Sequence, residues 1–456
     1  MKIITQNYVL DKMLDDSIKG FSKKFRLFTI LKACNAYKKK GFSSLSVFLY
    51  LLKLAFDNRS MYMSHLTGTY TEKFRKDTVY RLLNDASINW MKFTITLASL
   101  ITTKAIVPLT SEKRRNVLII DDTLFERPRA KKVELLSRVY DHVTHKYKKG
   151  FRLLALGWSD GNTFVPVASR LMSSVKDSNI YTPAQENLDR RTLAAKRRAQ
   201  SRSKATTTML DLLKEAKKSG IDAKHVLFDT WFCSPTSIIA IKNIGYEVIA
   251  MAKKSSKIHY FFEGKRQSVK DIYAKSKKRR GRSKYLLSAK VTVEKDGSTV
   301  EARLVFVRNR NKSKDWLVLI STDMSLSENE IIQTYGKRWS IEVFFKVCKS
   351  YLKLAKECRS LSYDALSAHV AIVFTRYMLL SLKQRENRDD RSLGELYMLT
   401  CDEMKDITYG EVIFIMMNTL IQVIQNTLSL TRKQLNQMID IFIESLPAHI
   451  KKRLIS

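Results

Sequence analysis

Hydrophobic residues in the first part of the chain recur at the spacing of an α-helix. Up to about residue 110 they fall three and four positions apart, as at Leu45, Phe48, Leu49, Leu52 and Phe56. Residues that break helices are few in this part. The pattern predicts an all-α N-terminal region over residues 1–110.

One segment of this region, residues 73–83, has the pattern of a helix with one apolar face. The inward positions are Val79, Leu82 and Leu83. The outward positions are Lys76, Tyr80 and Arg81. The segment is a candidate recognition helix of a helix-turn-helix unit, although an ordinary surface helix with solvated charges has the same pattern.

Strand-like patterns begin at about residue 112. The apolar run 117–120 has the composition of a buried strand and ends abruptly at Asp121, Asp122 and Thr123. Residues 151–158 and 163–171 flank a turn sequence, which predicts a hairpin. Together these segments predict three neighbouring strands.

The next part of the chain alternates helices with strands. A long basic helix is predicted over 184–219, then a strand at 226–228, a helix at 235–243 and a strand at 246–251. The predicted order is therefore βββαβαβ, an α/β fold over residues 111–254.

A basic β-rich insertion is predicted over residues 255–312. It contains the strands 285–293 and 300–307 and the cationic run 277–282. The core resumes over 313–385 with a strand at 316–321 and a helix at 328–354. A helical C-terminal region, 386–456, completes the predicted organisation.

Charge indicates the kind of partner. The chain carries 82 Lys and Arg against 44 Asp and Glu, a formal net charge of +38. These cations are spread along the whole chain rather than collected in one amphipathic helix, which favours nucleic acid over a membrane surface.

Five cysteines without a C-x-x-C pair indicate neither a disulfide framework nor a zinc module, so a reducing compartment is expected. No secretory signal pattern is present, and the apolar stretches look too short to cross a membrane. The sequence therefore predicts a cytoplasmic protein.

The helix predicted near residue 340 carries one acid among cations. At about 100° per residue, its polar positions fall on one stripe. These positions are Tyr335, Arg338, Glu342, Lys346 and Lys349. A solvated helix face with intrahelical ion pairs would have the same pattern.

Two other acids follow buried strands. Asp122 ends the first predicted strand and Asp229 ends the strand after the basic helix. The carboxyl ends of adjacent parallel strands are where reactive groups converge. Together with Glu342 these acids could hold two Mg²⁺ ions, for which Mn²⁺ can substitute, and so support in-line phosphoryl transfer.

Each of these acids also has a structural interpretation. Asp122 could be a turn residue before Thr123, and Asp229 could cap the helix that follows. Asp121 adds an ambiguity because side chains alternate across a strand, so only one of Asp121 and Asp122 can face a shared site.

The segment 335–349 resembles a known signature, Tyr335-x2-Arg338-x3-Glu342-x6-Lys349. It is that of the insertion sequence four family of bacterial DDE transposases. Residues 121–123 and 226–229 resemble the family's other two acid segments, and the first of these resemblances selects Asp122 over Asp121. The resemblance implies a ribonuclease-H-like catalytic core interrupted by a β-rich insertion and flanked by all-α N- and C-terminal regions.

The resemblance also implies cut-and-paste transposition, by nicking, hairpin formation, hairpin opening and strand transfer. The implied partners are double-stranded terminal inverted repeats, target DNA and a second copy of the chain. Tyr335, Arg338 and Lys349 would bind phosphates, and Trp316 would stack on a flipped base unless it packs in the core. A ribonuclease-H-like nuclease without strand transfer and a non-catalytic DNA-end-binding regulator are the alternatives.

Overall fold

A computed structural model describes residues 14–56, 61–66, 70, 72–111, 114–142, 144–186, 188–279, 283–309 and 315–386, with positions 431, 434, 437, 440, 441 and 444. The C-terminal region predicted over 386–456 lies almost entirely outside these residues. So do residues 280–282, the end of the cationic run 277–282.

Helices precede the first strand, as the hydrophobic spacing predicts. They are α1 (residues 14–24), α2 (Leu27–Ala33), α3 (Ser44–Lys53), α4 (Met61–Leu66), α5 (Lys76–Leu83) and α6 (Trp90–Ile101). Side-chain caps fix two of their starts, because the Ser43 hydroxyl and the Asn89 amide oxygen accept backbone N–H groups of α3 and α6.

The strands are β1 (Val117–Glu126), β2 (Ser137–Asp141), β3 (Lys146–Ser159), β4 (Phe164–Met172), β5 (His225–Phe228), β6 (Glu247–Met251), β7 (His259–Phe262), β8 (Lys265–Ser268), β9 (Leu287–Lys295), β10 (Ser298–Arg308) and β11 (Trp316–Ser321). The later helices are α7 (Leu193–Ser201), α8 (Ala205–Lys218), α9 (Pro235–Ile244), α10 (Val269–Lys275), α11 (Glu328–Gly336), α12 (Trp339–Ser350) and α13 (Tyr363–Glu386).

The eleven strands of the described residues belong to one mixed sheet, in the order β2-β3-β1-β5-β6-β11-β10-β9-β7-β8, with β4 also paired to β3. Strands β1, β5 and β6 run parallel, whereas β3 is antiparallel to β1. Elements β1, β3, β4, α8, β5, α9 and β6 follow the predicted order βββαβαβ, but the structure adds the unpredicted strand β2 between β1 and β3. Helices flank this large mixed sheet, so the α/β prediction is confirmed and the arrangement is consistent with a ribonuclease-H-like core.

The strands predicted within the basic segment 255–312 are confirmed by β9 and β10, which pair with each other antiparallel. They do not form a separate sheet. Strand β10 also pairs with β11, and β11 pairs with β6, so this segment extends the same sheet from its β6 side.

The prediction of one long helix over 184–219 is wrong. The structure has two shorter helices, α7 and α8, and the first begins only after its cap Thr192. Between them, Arg202 donates hydrogen bonds to the Val175 carbonyl (3.0 Å) and to Asp177 (2.6 Å). These tertiary contacts anchor the turn that local helix propensity does not predict.

The helix predicted over 328–354 is also divided. It is interrupted at Lys337 and Arg338, whose backbone N–H groups bond to carbonyls three residues earlier. The Lys337 ammonium donates to the backbone carbonyls of Arg115 (2.6 Å) and Asp160 (3.2 Å), which holds the turn against the sheet. The consequence is that Arg338 directly precedes α12, as its N-cap residue, rather than lying within one long helix.

Helix α13 packs in the centre of the molecule against β4 and the N-terminal helices α3, α5 and α6. Its Arg376 is fully buried and donates to the carbonyl of Leu52 (3.2 Å) and to Glu357 (2.8 Å). Because a buried guanidinium needs such partners, this residue ties the N-terminal helices to the core.

Within the part of the chain that the structure describes, two helical segments are long and apolar enough to cross a membrane, contrary to the expectation that the apolar stretches are too short. They are Trp90–Leu109 and Tyr363–Arg385. In the second, 94% of the apolar window is buried inside the protein, as in the core helix of a globular protein.

Candidate active site

The two adjacent aspartates of β1 face opposite sides of the sheet. Side chains alternate along a strand, so Asp121 shares a face with Thr123 whereas Asp122 does not. Lys349 of α12 donates to the Thr123 hydroxyl at 2.6 Å. Helix α12 therefore covers the face that carries Asp121.

An arginine at the start of α12 connects two acids. Arg338 donates from Nη1 to Asp121 Oδ2 at 2.9 Å and from Nη2 to Glu342 Oε1. The guanidinium and the Asp121 carboxylate are largely buried, and Glu342 is about one-third exposed. The planar guanidinium can serve both carboxylates because its donors point in fixed, divergent directions.

Asp229 lies at the same level of the sheet as Asp121. Strands β1 and β5 are parallel with Ile119 paired to Leu227, and each aspartate comes two residues after that pair. Asp229 Oδ1 accepts the backbone N–H of Trp231 at 2.9 Å. This hydrogen bond fixes the carboxylate at the carboxyl end of its strand.

On the opposite face, Asp122 pairs with Arg152 of β3, whose Nε lies 3.3 Å from Asp122 Oδ2. Asp122 also interacts electrostatically with Asp229 and His142. Asp229 is therefore near enough to influence both aspartates of β1, although Arg338 contacts only Asp121.

Burial and mutual repulsion disfavour the charged forms of the β1 acids. Burial, opposed by Arg338 and reinforced by Asp229, raises the pKa of Asp121 to about 7. Burial also raises the pKa of Asp122, where Arg152 opposes the shift and Asp229 adds to it. A cation placed between these carboxylates would relieve both effects.

The donor chemistry fits a hard divalent ion, since carboxylate oxygens are the ligands that Mg²⁺ and Mn²⁺ prefer. Within the part of the chain that the structure describes, no three His, Cys, Asp or Glu side chains form a ready-made metal cluster. The arginines explain the separation, because Arg338 lies between Asp121 and Glu342 and Arg152 holds Asp122.

Tyr335 and Lys349 lie beside the acids. Tyr335 is electrostatically coupled to Arg338 and Asp229, and burial raises its pKa. Its hydroxyl is buried next to the Arg338 guanidinium, which partly offsets the effect of burial on the pKa. The partly buried Lys349 ammonium has its pKa lowered by burial, opposed by Asp141 and Glu126.

Lys346 belongs to the predicted stripe but does not lie beside the acids. It is exposed and lines a groove with Asn162, Ser340 and Gln384. Because α12 begins only at Trp339, the stripe drawn through one continuous helix does not describe how these side chains are arranged.

Trp316 lies within a cluster of rings in the segment that extends the sheet. Its ring stacks on Tyr273 with centroids 4.4 Å apart, and the Lys254 ammonium lies 4.3 Å from its ring centre. It is half-buried. These contacts agree with the packing interpretation, and base stacking by Trp316 stays a prediction.

The orientation predicted for the N-terminal candidate helix is confirmed. In α5 the side chains of Val79, Leu82 and Leu83 are buried. The side chains of Lys76, Tyr80 and Arg81 are exposed. Its role in recognising DNA stays a prediction.

Sequence reasoning did not place three residues near the acids, namely Arg152, His142 and Trp231. A charged residue inside the apolar run 151–158 was the available signal for Arg152. Trp231 follows Asp229 by two positions, yet it is 56% exposed. Nothing local in the sequence shows that His142 lies beside Trp231.

Comparison with protein families matches residues 37–313 to the model of the DDE superfamily endonucleases. It includes the segments of Asp121, Asp122 and Asp229 and ends before α11 and Glu342. Comparison with curated proteins gives no match. Because the family model covers more than half of the chain, this protein belongs to the DDE superfamily endonucleases.

Proposed function

We propose that this protein is a transposase that cuts and rejoins DNA by phosphoryl transfer, as its resemblance to the insertion sequence four family implies. The observation that carries the proposal is the bridge from Asp121 through Arg338 to Glu342, at the sheet edge where Asp229 also lies. Acids at the ends of two parallel strands and on a covering helix could together hold the divalent ions that a two-metal phosphoryl transfer uses.

Asp229 and Glu342 are the second and third acids of the proposed site. The first is one of the two adjacent aspartates. The sequence resemblance selects Asp122, whereas the contact with Arg338 favours Asp121, since that side chain shares the face covered by α12. Asparagine substitution at each position decides between them, because the amide keeps the shape and removes the charge.

The acids would hold two Mg²⁺ ions, or Mn²⁺ in their place, which when bound activate the attacking hydroxyl and stabilise the leaving oxygen. Arg338 and Lys349 would bind the phosphates on either side of the scissile position. The Tyr335 hydroxyl, which lies beside Arg338, would donate to a phosphate oxygen. The exposed Lys346 would contact the DNA backbone further away.

The proposed reaction begins with nicking to release a 3′-hydroxyl. The freed 3′-hydroxyl then attacks the opposite strand and forms a hairpin. The hairpin is opened before strand transfer into target DNA. The substrates are double-stranded terminal inverted repeats and target DNA, and two copies of the chain would act on paired ends. A nuclease without strand transfer, or a regulator that only binds ends, would share the DNA partner.

The proposed organisation assigns DNA-end binding to residues 1–110, with Lys76, Tyr80 and Arg81 of α5 on the DNA. The core comprises 111–254 and 313–385, and the basic segment 255–312 interrupts it. Dimerisation is assigned to 386–456. We place the protein in the cytoplasm, with the nucleoid. Trp316 is proposed to contact a flipped base if its ring cluster opens.

The test uses the full chain with Mg²⁺ and DNA carrying the element's terminal inverted repeats. We expect 3′-hydroxyl ends, hairpins and joined products from the parent protein. Cleavage without joined products would support the nuclease, and end binding without cleavage would support the regulator. Cleavage that survives EDTA would contradict the metal-dependent mechanism.

Asp229→Asn is expected to abolish cleavage, by at least about a hundredfold, while DNA binding is retained, because the amide still accepts the Trp231 N–H. Asp121→Asn and Asp122→Asn form a matched pair. We expect Asp121→Asn to lose cleavage as completely as Asp229→Asn, and Asp122→Asn to lose less. Full activity of Asp229→Asn would show that the proposed site is wrong, and the reverse order of the pair would restore Asp122 as first acid.

A further inference from the structure

An exposed row of aromatic side chains leads to the acids. We define it as the aromatic strip, formed by Tyr147, Tyr140, His142 and Trp231. Successive ring centroids are 5.2, 5.0 and 5.9 Å apart. Three of these residues lie on β2, on β3 and in the loop between them, and Trp231 follows β5.

The strip is open to solvent. Tyr147 is 57% exposed, Tyr140 36% and Trp231 56%. The three ring contacts are edge-to-face or tilted, so neighbouring rings leave stacking surface uncovered. Large rings exposed together are uncommon unless something binds them.

Cations accompany the rings at both ends. The Arg138 guanidinium lies 3.9 Å from the centre of the Tyr147 ring. The Lys253 ammonium lies 5.8 Å from the centre of the Trp231 ring and donates to the Trp231 carbonyl at 3.1 Å. Rings interleaved with cations are how proteins hold unpaired nucleic-acid strands, with bases on the rings and phosphates on the cations.

The strip ends at the acids. The Trp231 backbone N–H bonds to Asp229, and His142 interacts electrostatically with Asp122. A nucleotide on Trp231 would therefore be next to the phosphate held at the acids. In a duplex the faces of the bases are covered by their neighbours, so an aromatic platform selects unpaired bases.

We propose that the aromatic strip binds an unpaired DNA strand leading out of the active site, with a base stacked on Trp231. This proposal rests on the proposed function, because it takes the acids as the place of strand cleavage. It adds a substrate preference, for DNA that is single-stranded beside the scissile phosphate.

The test measures binding of the full chain in EDTA, so that no cleavage takes place. The probes are a single-stranded oligonucleotide containing one 2-aminopurine and the corresponding blunt duplex. Trp231→Ala is expected to weaken single-strand binding at least about fivefold and to reduce the 2-aminopurine fluorescence change. Duplex binding should change by less than about twofold.

Two further variants complete the test. Trp231→Phe should restore most of the single-strand affinity, since a smaller ring still stacks. Phe261→Ala removes an aromatic side chain that is 43% exposed on β7, far along the sheet order, and should leave both affinities unchanged.

Unchanged single-strand binding by a folded Trp231→Ala protein would overturn the proposal, and so would equal losses for both probes. Circular dichroism establishes whether each variant is folded. Because binding is measured without metal, its outcome is separate from that of the cleavage assay. A protein that stacks the oligonucleotide but never cuts would refute the transposase proposal alone.

Discussion

At the scale of single residues, Arg338 is the side chain on which the candidate site depends. It donates to Asp121 and Glu342 together, so it neutralises acids that would otherwise repel each other. The same guanidinium is positioned to bind a phosphate once an acid is released to a metal ion. Its forked shape, and not only its charge, matters for both tasks.

We predict that Arg338→Lys lowers the rate of DNA cleavage by about tenfold to a hundredfold, since an ammonium cannot reproduce two divergent contacts. Single-turnover cleavage assays measure this effect. Arg152→Lys is the matched control, because among the described residues Arg152 forms an ion pair with one acid, Asp122. Equal losses for the two variants would contradict a special role of the forked side chain.

The raised pKa of Asp121 predicts a pH dependence of stability. Between its ordinary pKa of 3.8 and about 7, the folded protein retains a proton that the unfolded chain has lost. The free energy of unfolding contributed by this residue therefore falls as pH rises through that window. The contribution lost is on the order of 2–4 kcal/mol.

The Asp121→Asn variant should not show this loss of unfolding free energy, because the asparagine amide cannot ionise. Urea unfolding at pH 5 and pH 8 in EDTA measures the difference from the parent protein. Asp296→Asn, at a side chain that is 77% exposed, should behave like the parent. A parent and an Asp121→Asn variant with the same change between the two pH values would contradict the prediction.

At the scale of elements, the turn between α11 and α12 decides where the acids meet. The Lys337 ammonium fixes this turn against the loop that contains Asp160 and Gly161. This position of the turn lets Arg338 reach Asp121 of β1. The contacts that hold the turn come from residues more than a hundred positions away.

Gly161→Ala is predicted to reduce the free energy of unfolding by about 1–2 kcal/mol. The backbone has a φ of +94°, and a β-carbon there would lie 2.9 Å from Lys337 Cε. Gly220→Ala is the control, with a φ of +68° and no atom within 4 Å of the added carbon. Urea unfolding compares them, and a loss no greater than that of Gly220→Ala would exclude a contribution from Lys337.

The order of strands and helices was largely predictable from the sequence, because buried runs such as 117–120 and the turn at 159–162 act locally. The two divided helices were not. Arg202 and Lys337 donate hydrogen bonds to carbonyls that are distant in sequence. The helical pattern of the sequence continues through both positions, so it does not reveal that either helix is divided. Within the site, alternation along β1 posed the choice between Asp121 and Asp122, and only the packing of α12 bears on it.

At the scale of the whole molecule, the formal charge of +38 provides a general attraction for DNA. Binding of this kind releases condensed cations from the phosphate backbone. The affinity is then set by salt concentration as well as by any recognition of particular bases.

The affinity of the full chain for duplex DNA is predicted to fall by about a thousandfold or more between 50 and 200 mM salt, if six or more phosphates are neutralised. Fluorescence anisotropy in EDTA measures it. Lys346→Gln should lessen the slope of the logarithmic plot by about one if that residue contacts a phosphate. Affinity that is insensitive to salt would contradict electrostatic binding by the whole molecule.

The sequence by itself determined the α/β class, the basic character, the run of acids at strand ends and the helix bearing Glu342, because these depend on composition and on local periodicity. Tertiary structure decided which acids share a face, how Arg338 connects them and that aromatic residues from separate strands form one strip. Those relations depend on strand register and on contacts between residues that are distant along the chain, which no local pattern records.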